Sequence, residues 1–210
     1  MGEIFRAEDV YVKRGENLVL KGFNLAVGEG EKLLLLGPNG SGKTTFFEVV
    51  VGFVKPERGR LLFMGKPVEA ESDFRLLRRK VGYVFQDPES QILMPTVEEE
   101  IAFGLLNLGM PRSKIREEVE MVLSAFGISH LKRKFTHELS WGEKRLLSIA
   151  SIAVMKPELF LLDEPFAGLD ERGVRIVASF LKEYDKAVIL ASHTELNFFE
   201  DWDKFYLRTD

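Results

Sequence analysis

The run Leu33-Leu34-Leu35-Leu36 breaks at once into Gly37-Pro38-Asn39-Gly40-Ser41-Gly42-Lys43-Thr44-Thr45. Four apolar residues without a charge among them predict a strand buried on both faces, as in a parallel sheet. Phe46-Phe47-Glu48-Val49-Val50-Val51 then predicts a helix that stops near Gly52. Gly37, Gly42, Lys43 and Thr44 fit the spacing G-x-x-x-x-G-K-[ST] between a strand and a helix, the context in which such a loop cradles phosphate. A polyphosphate needs several backbone N–H donors converging on one spot, and glycines let the backbone approach that closely. The segment Asn39, Gly40, Ser41, Gly42, Lys43, Thr44 and Thr45 is therefore the candidate phosphate cradle. A helix N-terminus adds partial positive charge, Lys43 a full charge for the β- and γ-phosphates, and the Thr44 hydroxyl a ligand for Mg²⁺. A loop that only turned a strand into a helix would have no use for that lysine and threonine.

With 210 residues, the chain can bury about 70% of its unfolded surface, so one substantial domain with a subdomain is expected. Lys and Arg number 29 against 33 Asp and Glu, a net charge of −4, which argues against a dedicated nucleic-acid binder. Cysteine is absent, so disulfide and thiolate chemistry are excluded. No apolar run approaches the roughly 20 residues of a membrane span, and Met1-Gly2-Glu3-Ile4-Phe5-Arg6 lacks a signal-peptide core. The expectation is a chain soluble by itself, with any membrane role reached through a partner.

Residues 4–12 and 18–27, rich in β-branched and aromatic side chains, predict two antiparallel strands joined by Arg14-Gly15-Glu16-Asn17. Leu61–Met64 and Val81–Phe85 predict two more strands. From Thr96 to about Leu139 the pattern turns helical. Thr96 with Glu99 three residues on resembles a capping box, Gly109-Met110-Pro111 is a break, and Ser113–Phe126 is amphipathic through Ile115, Val119, Val122, Leu123 and Phe126. A helix from Trp141 to Met155, a strand at Leu159–Leu162, a helix near Arg172–Tyr184 and strands at Ala187–Ala191 and Phe205–Leu207 complete the chain. The predicted class is α/β: a P-loop NTPase core with a mainly parallel sheet, an N-terminal antiparallel β subdomain and an inserted helical subdomain. The expected division is one domain over 1–210, with 1–85 and 141–210 as the α/β core and about 86–140 as the helical subdomain.

The strand Leu159–Leu162 delivers two carboxylates, Asp163 and Glu164, to its C-terminal end, where ligands sit in open α/β sheets. Asp163 suits a Mg²⁺ ligand acting through water, and Glu164 a base that polarises the water attacking the γ-phosphate. Ser140-Trp141-Gly142-Glu143 matches S-x-x-E, a capping box, and a capped helix end with free N–H groups is itself an anion site. His130 and His137 read as packing or surface residues.

The segments Gly37–Thr45, Gln86, Leu139-Ser140-Trp141-Gly142-Glu143-Lys144-Arg145, Leu161-Leu162-Asp163-Glu164-Pro165, Ala167-Gly168-Leu169-Asp170 and His193 occur in one particular order. It resembles the order of Walker A, Q-loop, signature, Walker B, D-loop and H-switch in ATP-binding cassette (ABC) ATPases. Gln86–Gln91 and Thr96–Gly104 are similar to the energy-coupling-factor and cobalt/nickel importers within that superfamily. The resemblance implies ATP and Mg²⁺ as cofactors, with Glu164 and His193 acting on the γ-phosphate. Gln86 would contact Mg²⁺ or the attacking water. Ser140 and Gly142 would face ATP held by a second subunit, and Asp170 would link the two sites. It implies a head-to-tail homodimer, or a heterodimer with a second ABC ATPase, and a transmembrane transporter subunit bound through the helical subdomain. The implied place is the cytoplasmic face of the membrane, as a peripheral protein without direct nucleic-acid contact.

Four departures from the family pattern stand out. Trp141 replaces the usual glycine; its indole either meets the partner's nucleotide or turns away to pack within the helical subdomain. The adenine-stacking aromatic is missing, and Arg14 occupies that position, where a guanidinium can stack on a base. Thr194 replaces the acid that often follows the histidine, and the chain ends soon after its last strand, where many relatives continue. The leading reading is the ATPase of a vitamin or transition-metal importer. The alternatives are a soluble ABC ATPase acting on DNA or ribosomes, and a weakly catalytic regulatory partner of a second ATPase.

Overall fold

A computed structural model describes residues 2–207. Strands β1 (Glu3–Arg14) and β2 (Asn17–Gly28) form an antiparallel hairpin, and β3 (Lys32–Leu36) leads into helix α1 (Lys43–Val50). Then come β4 (Arg58–Phe63), the two-residue β5 (Lys66–Pro67), α2 (Glu71–Leu77) and β6 (Val81–Val84). Helices α3 (Val97–Asn107), α4 (Arg112–Ala125) and α5 (Trp141–Ala153) precede β7 (Leu159–Asp163), α6 (Glu171–Glu183), β8 (Ala187–Ser192) and β9 (Asp203–Tyr206). No described helix is long and apolar enough to cross a membrane.

The described residues fall into two compact units. One runs up to Tyr83 and takes in Glu158–Asp163 and the chain from Asp185 onward; the other comprises Val84–Pro157 and Glu164–Tyr184. The first unit holds an antiparallel sheet in the order β2-β1-β4-β5 and a second sheet in the order β6-β7-β8-β3-β9. In the second sheet β3 pairs in parallel with β8 and β9, and β7 with β8. The registers Leu36 to Ser192 and Asp163 to Ala191 bring the C-terminal ends of β3, β7 and β8 to one edge. All five residues of β7, all six of β8 and Leu33–Leu36 are buried, as continuous apolar runs in a parallel sheet require. On α1, Phe46 meets Phe23 and Phe5 at centroid distances of 4.7 and 6.1 Å, and Phe47 meets Tyr83 edge-on at 5.6 Å. Helix α1 is thereby fixed to both sheets by aromatic packing.

Helix α2 has no counterpart among the sequence expectations. Its seven residues bury only Phe74 and Leu77, too few to show a helical period, and Phe74 fills the space beside Gly52. The carboxylate of Asp73 accepts from the Ala70 and Glu69 amides and serves as the N-terminal cap that no hydroxyl provides.

Lys32 opens β3 half-buried, its ammonium donating to the Lys186 carbonyl. Burial lowers its pKa to about 8, against the opposing pull of Asp185. Between pH 8 and the ordinary lysine value of 10.5 the unfolded chain therefore carries a proton that the folded chain has lost, so this lysine makes stability rise with pH across that window. Thermal melts should show the rise in wild type and its loss in Lys32→Met; parallel pH curves for the two proteins would refute it.

In the second unit, α3 carries the expected capping box. The Thr96 hydroxyl accepts from the Glu99 amide at 3.4 Å, and the Glu99 carboxylate accepts from the Thr96 amide at 3.2 Å. Helix α4 buries Ile115, Val119, Val122 and Leu123, as its spacing predicts. Before α5 the chain makes two short 3-10 turns, Ser129–Leu131 and Thr136–Glu138, where the pattern had suggested continuing helix.

Candidate nucleotide-binding and hydrolysis site

Where β3 ends, the amide of Gly37 donates to the Ser192 carbonyl at 3.3 Å, tying the loop to β8. A Cβ at Gly37 would lie 2.7 Å from both the Leu207 carbonyl oxygen and the Ser41 Oγ, so no larger residue fits. Gly42 caps α1 at φ 100°, a left-handed value that side chains rarely adopt, and gives no side-chain cap to the helix. The first amides of α1 are thus left without a side-chain acceptor. Lys43 is buried, its Nζ donating to the Gly37 and Pro38 carbonyls at 2.7 and 3.1 Å. The buried Ser41 Oγ has no hydrogen-bond partner among the described residues. A hydroxyl left unsatisfied in that way, beside a lysine and an uncapped helix start, fits a phosphate oxygen as its partner. A cleft of about 600 Å³, bordered by Asn17, Val19, Leu20, Gly40, Ser41 and Tyr206, opens beside the loop.

Asp163, 1% exposed at the end of β7, accepts a 2.6 Å hydrogen bond from Thr44 Oγ1 into Oδ2. One carboxylate and one hydroxyl suit Mg²⁺, which takes most of its shell from water and substrate phosphates. Tyr83 of β6 also bonds to Asp163; burial and then that carboxylate's charge push the tyrosine pKa well above its usual range. The sequence reading missed Tyr83, although a single phenol in the apolar run Val81-Gly82-Tyr83-Val84 was a signal that a buried polar partner existed.

Glu164 has φ 49°, in the left-handed region. Holding a non-glycine residue there costs about 1–3 kcal/mol, and such strain clusters at functional sites. His193 follows β8 and is exposed; the Ser192 hydroxyl accepts from the Thr194 amide at 3.2 Å and donates to its carbonyl at 2.8 Å, closing a turn around the histidine. Arg14, the last residue of β1, pairs with Glu48 of α1, a contact that sequence reading did not foresee. Tyr11 lies under the Arg58 guanidinium, 5.4 Å from the ring centre.

In the second unit, Gln86 is exposed just beyond β6. Ser140 opens α5 with the expected capping box: its amide donates to Glu143 Oε2 at 2.7 Å and its hydroxyl accepts from the Glu143 amide at 3.3 Å. The Ser140 amide bond holds the Glu143 carboxyl below the usual range. Trp141, 46% exposed, turns its indole edge onto Gly168; a Cβ there would come within 2.3 Å of Trp141 Cδ1. Gly142 lies against the Gly168 carbonyl oxygen, which a Cβ on it would approach to 3.2 Å. Asp170 caps α6, its Oδ1 accepting from the Gly173 amide at 2.7 Å. Phe135 stacks on His137, and both are exposed.

A parallel sheet that places a glycine-rich loop, a lysine and a Thr–Asp pair at one edge defines a P-loop nucleotide-binding protein. Residues 20–167 match the family model described as ABC transporter. The energy-coupling factor transporter ATP-binding protein EcfA of Methanocaldococcus jannaschii is 40% identical over 195 residues, covering 90% of this chain and 70% of that protein. EcfA2 of Clostridium perfringens is 41% identical over 179 residues, 83% of this chain but 63% of its own length. The solved structure of cbiO1 from Clostridium perfringens, part of the ABC transporter complex cbiONQ, superposes with a TM-score of 0.80 at 38% identity, over 92% of this chain and 80% of that one. The chain belongs to the ABC transporter ATP-binding family, whose members are ATPases.

Proposed function

We propose that this chain is the ATP-hydrolysing subunit of an energy-coupling-factor type membrane importer, carrying a vitamin or a transition-metal ion. Hydrolysis rests on the Thr44–Asp163 bond behind a loop that holds the buried Lys43 and Ser41. The importer assignment is supported by the EcfA relatives at about 40% identity. In this reading Asn39, Gly40, Ser41, Gly42, Lys43, Thr44 and Thr45 hold the ATP phosphates through backbone amides, the Ser41 hydroxyl and the lysine charge. Thr44, Asp163 and Gln86 hold Mg²⁺, which when bound neutralises charge on the phosphates. Glu164 takes the proton of the attacking water, and His193 donates to the γ-phosphate. Arg14, steadied by Glu48, covers the adenine. Ser140 and Gly142 present the N-terminus of α5 to ATP held by a second ABC ATPase chain, identical or distinct, and Asp170 joins the two sites. The helical subdomain of a single domain over 1–210 docks on the transmembrane subunit at the cytoplasmic face.

Fractionation of cells producing tagged chain tests this. The chain should sediment with membranes, and detergent extraction should recover it with an integral membrane subunit, in an assembly that takes up cargo only with ATP. Recovery with DNA or ribosomes would replace this reading with that of a soluble ABC ATPase.

A further inference from the structure

Arg145 is a fully buried side chain, 0% exposed, on a helix whose neighbouring inward residues are Leu147, Ser148 and Ile149. A buried guanidinium is costly unless its donors are used. Here the two terminal nitrogens reach two consecutive carbonyls: Nη1 donates to Phe85 O at 2.8 Å, and Nη2 donates to Gln86 O. The amide of Phe85 is held as well, donating to Gln91 Oε1 at 2.9 Å, while Gln91 Nε2 donates to the Ser148 carbonyl of the same helix at 2.6 Å. Lys144, one residue earlier on α5, pairs with Glu89 of the same loop.

We infer that Arg145 and Gln91 are positioning residues that fix the backbone of Gln86 to α5, so that Gln86 and the N-terminus of α5 move as one rigid piece. The inference rests on the reading of Gln86 given above, since it assigns what places that side chain. A loop glutamine with an exposed side chain has many rotamers and a mobile backbone to lose on contact with a ligand. Clamping the carbonyls of Phe85 and Gln86 and the amide of Phe85 removes the backbone part of that loss beforehand, as outer hydrogen bonds do for metal ligands.

A double-mutant cycle on the full chain, together with any subunits that co-purify with it, tests this with Mg-ATP as the probe. Gln91→Leu should lower kcat about tenfold, leave KM for ATP within about twofold, and raise the Mg²⁺ concentration needed for half-maximal turnover. In a Gln86→Ala background the same change should have no further effect. Arg145→Lys, which keeps a donor in place, should retain more turnover than Arg145→Met; where neither folds by thermal melt, Gln91→Leu carries the test alone. Wild-type kinetics for Gln86→Ala would overturn the reading of Gln86 itself. A slow Gln86→Ala combined with equal losses from Gln91→Leu in both backgrounds, or with no loss from Gln91→Leu, would overturn the positioning role and leave that reading standing.

Discussion

Glu164→Gln should bind Mg-ATP as wild type does and turn it over about 10²–10⁴ times more slowly, the usual contribution of a general base. The amide keeps the size and the left-handed backbone at φ 49°, so folding is preserved and only the proton acceptor is lost. Trapped with ATP, this variant also reports the assembly. Light scattering that shifts from monomer to dimer on adding Mg-ATP would mean that two copies close on ATP with Trp141 in place. A monomer that still holds ATP would assign the facing α5 to a different ATPase chain. Turnover within threefold of wild type would remove Glu164 from the base role.

Lys43→Met should abolish detectable turnover and weaken ATP affinity about ten- to a hundredfold, the value of one buried charge-assisted hydrogen bond. The ammonium now donates to the Gly37 and Pro38 carbonyls. Its loss therefore also leaves two loop acceptors without that donor, and Lys43→Arg separates the two effects. The arginine restores charge and donors but not the ammonium's compact shape, so it should recover part of the thermal stability and little of the turnover. Nucleotide titration calorimetry alongside thermal melts measures both, and unchanged affinity in Lys43→Met would place the phosphates elsewhere.

The parallel sheet was readable because its signal is local. Leu33–Leu36, Leu159–Leu162 and Ala187–Ala191 are uninterrupted apolar runs, and each forms a strand buried along its length. The capping boxes at Thr96 and Ser140 were readable for the same reason, since both partners lie within one helical turn. What escaped depends on residues distant in sequence. Arg14 and Glu48 are 34 positions apart, and Arg145 and Phe85 are 60 apart. No periodicity links such pairs; an arginine at an inward position of α5 shows only that some acceptor must exist. Helix α2 escaped because two buried side chains cannot establish a period.

The indole of Trp141 and the bare Cα of Gly168 share one volume. Bulk at position 141 and bulk at position 168 are therefore mutually exclusive. A small residue at 141 would free space over the turn before α6, whereas the tryptophan fills it, so glycine at 168 is required for room beside the indole as well as for its own φ of 76°. The tryptophan thereby adds a demand for room to a glycine that its backbone already requires, in the segment that ends with the cap of α6.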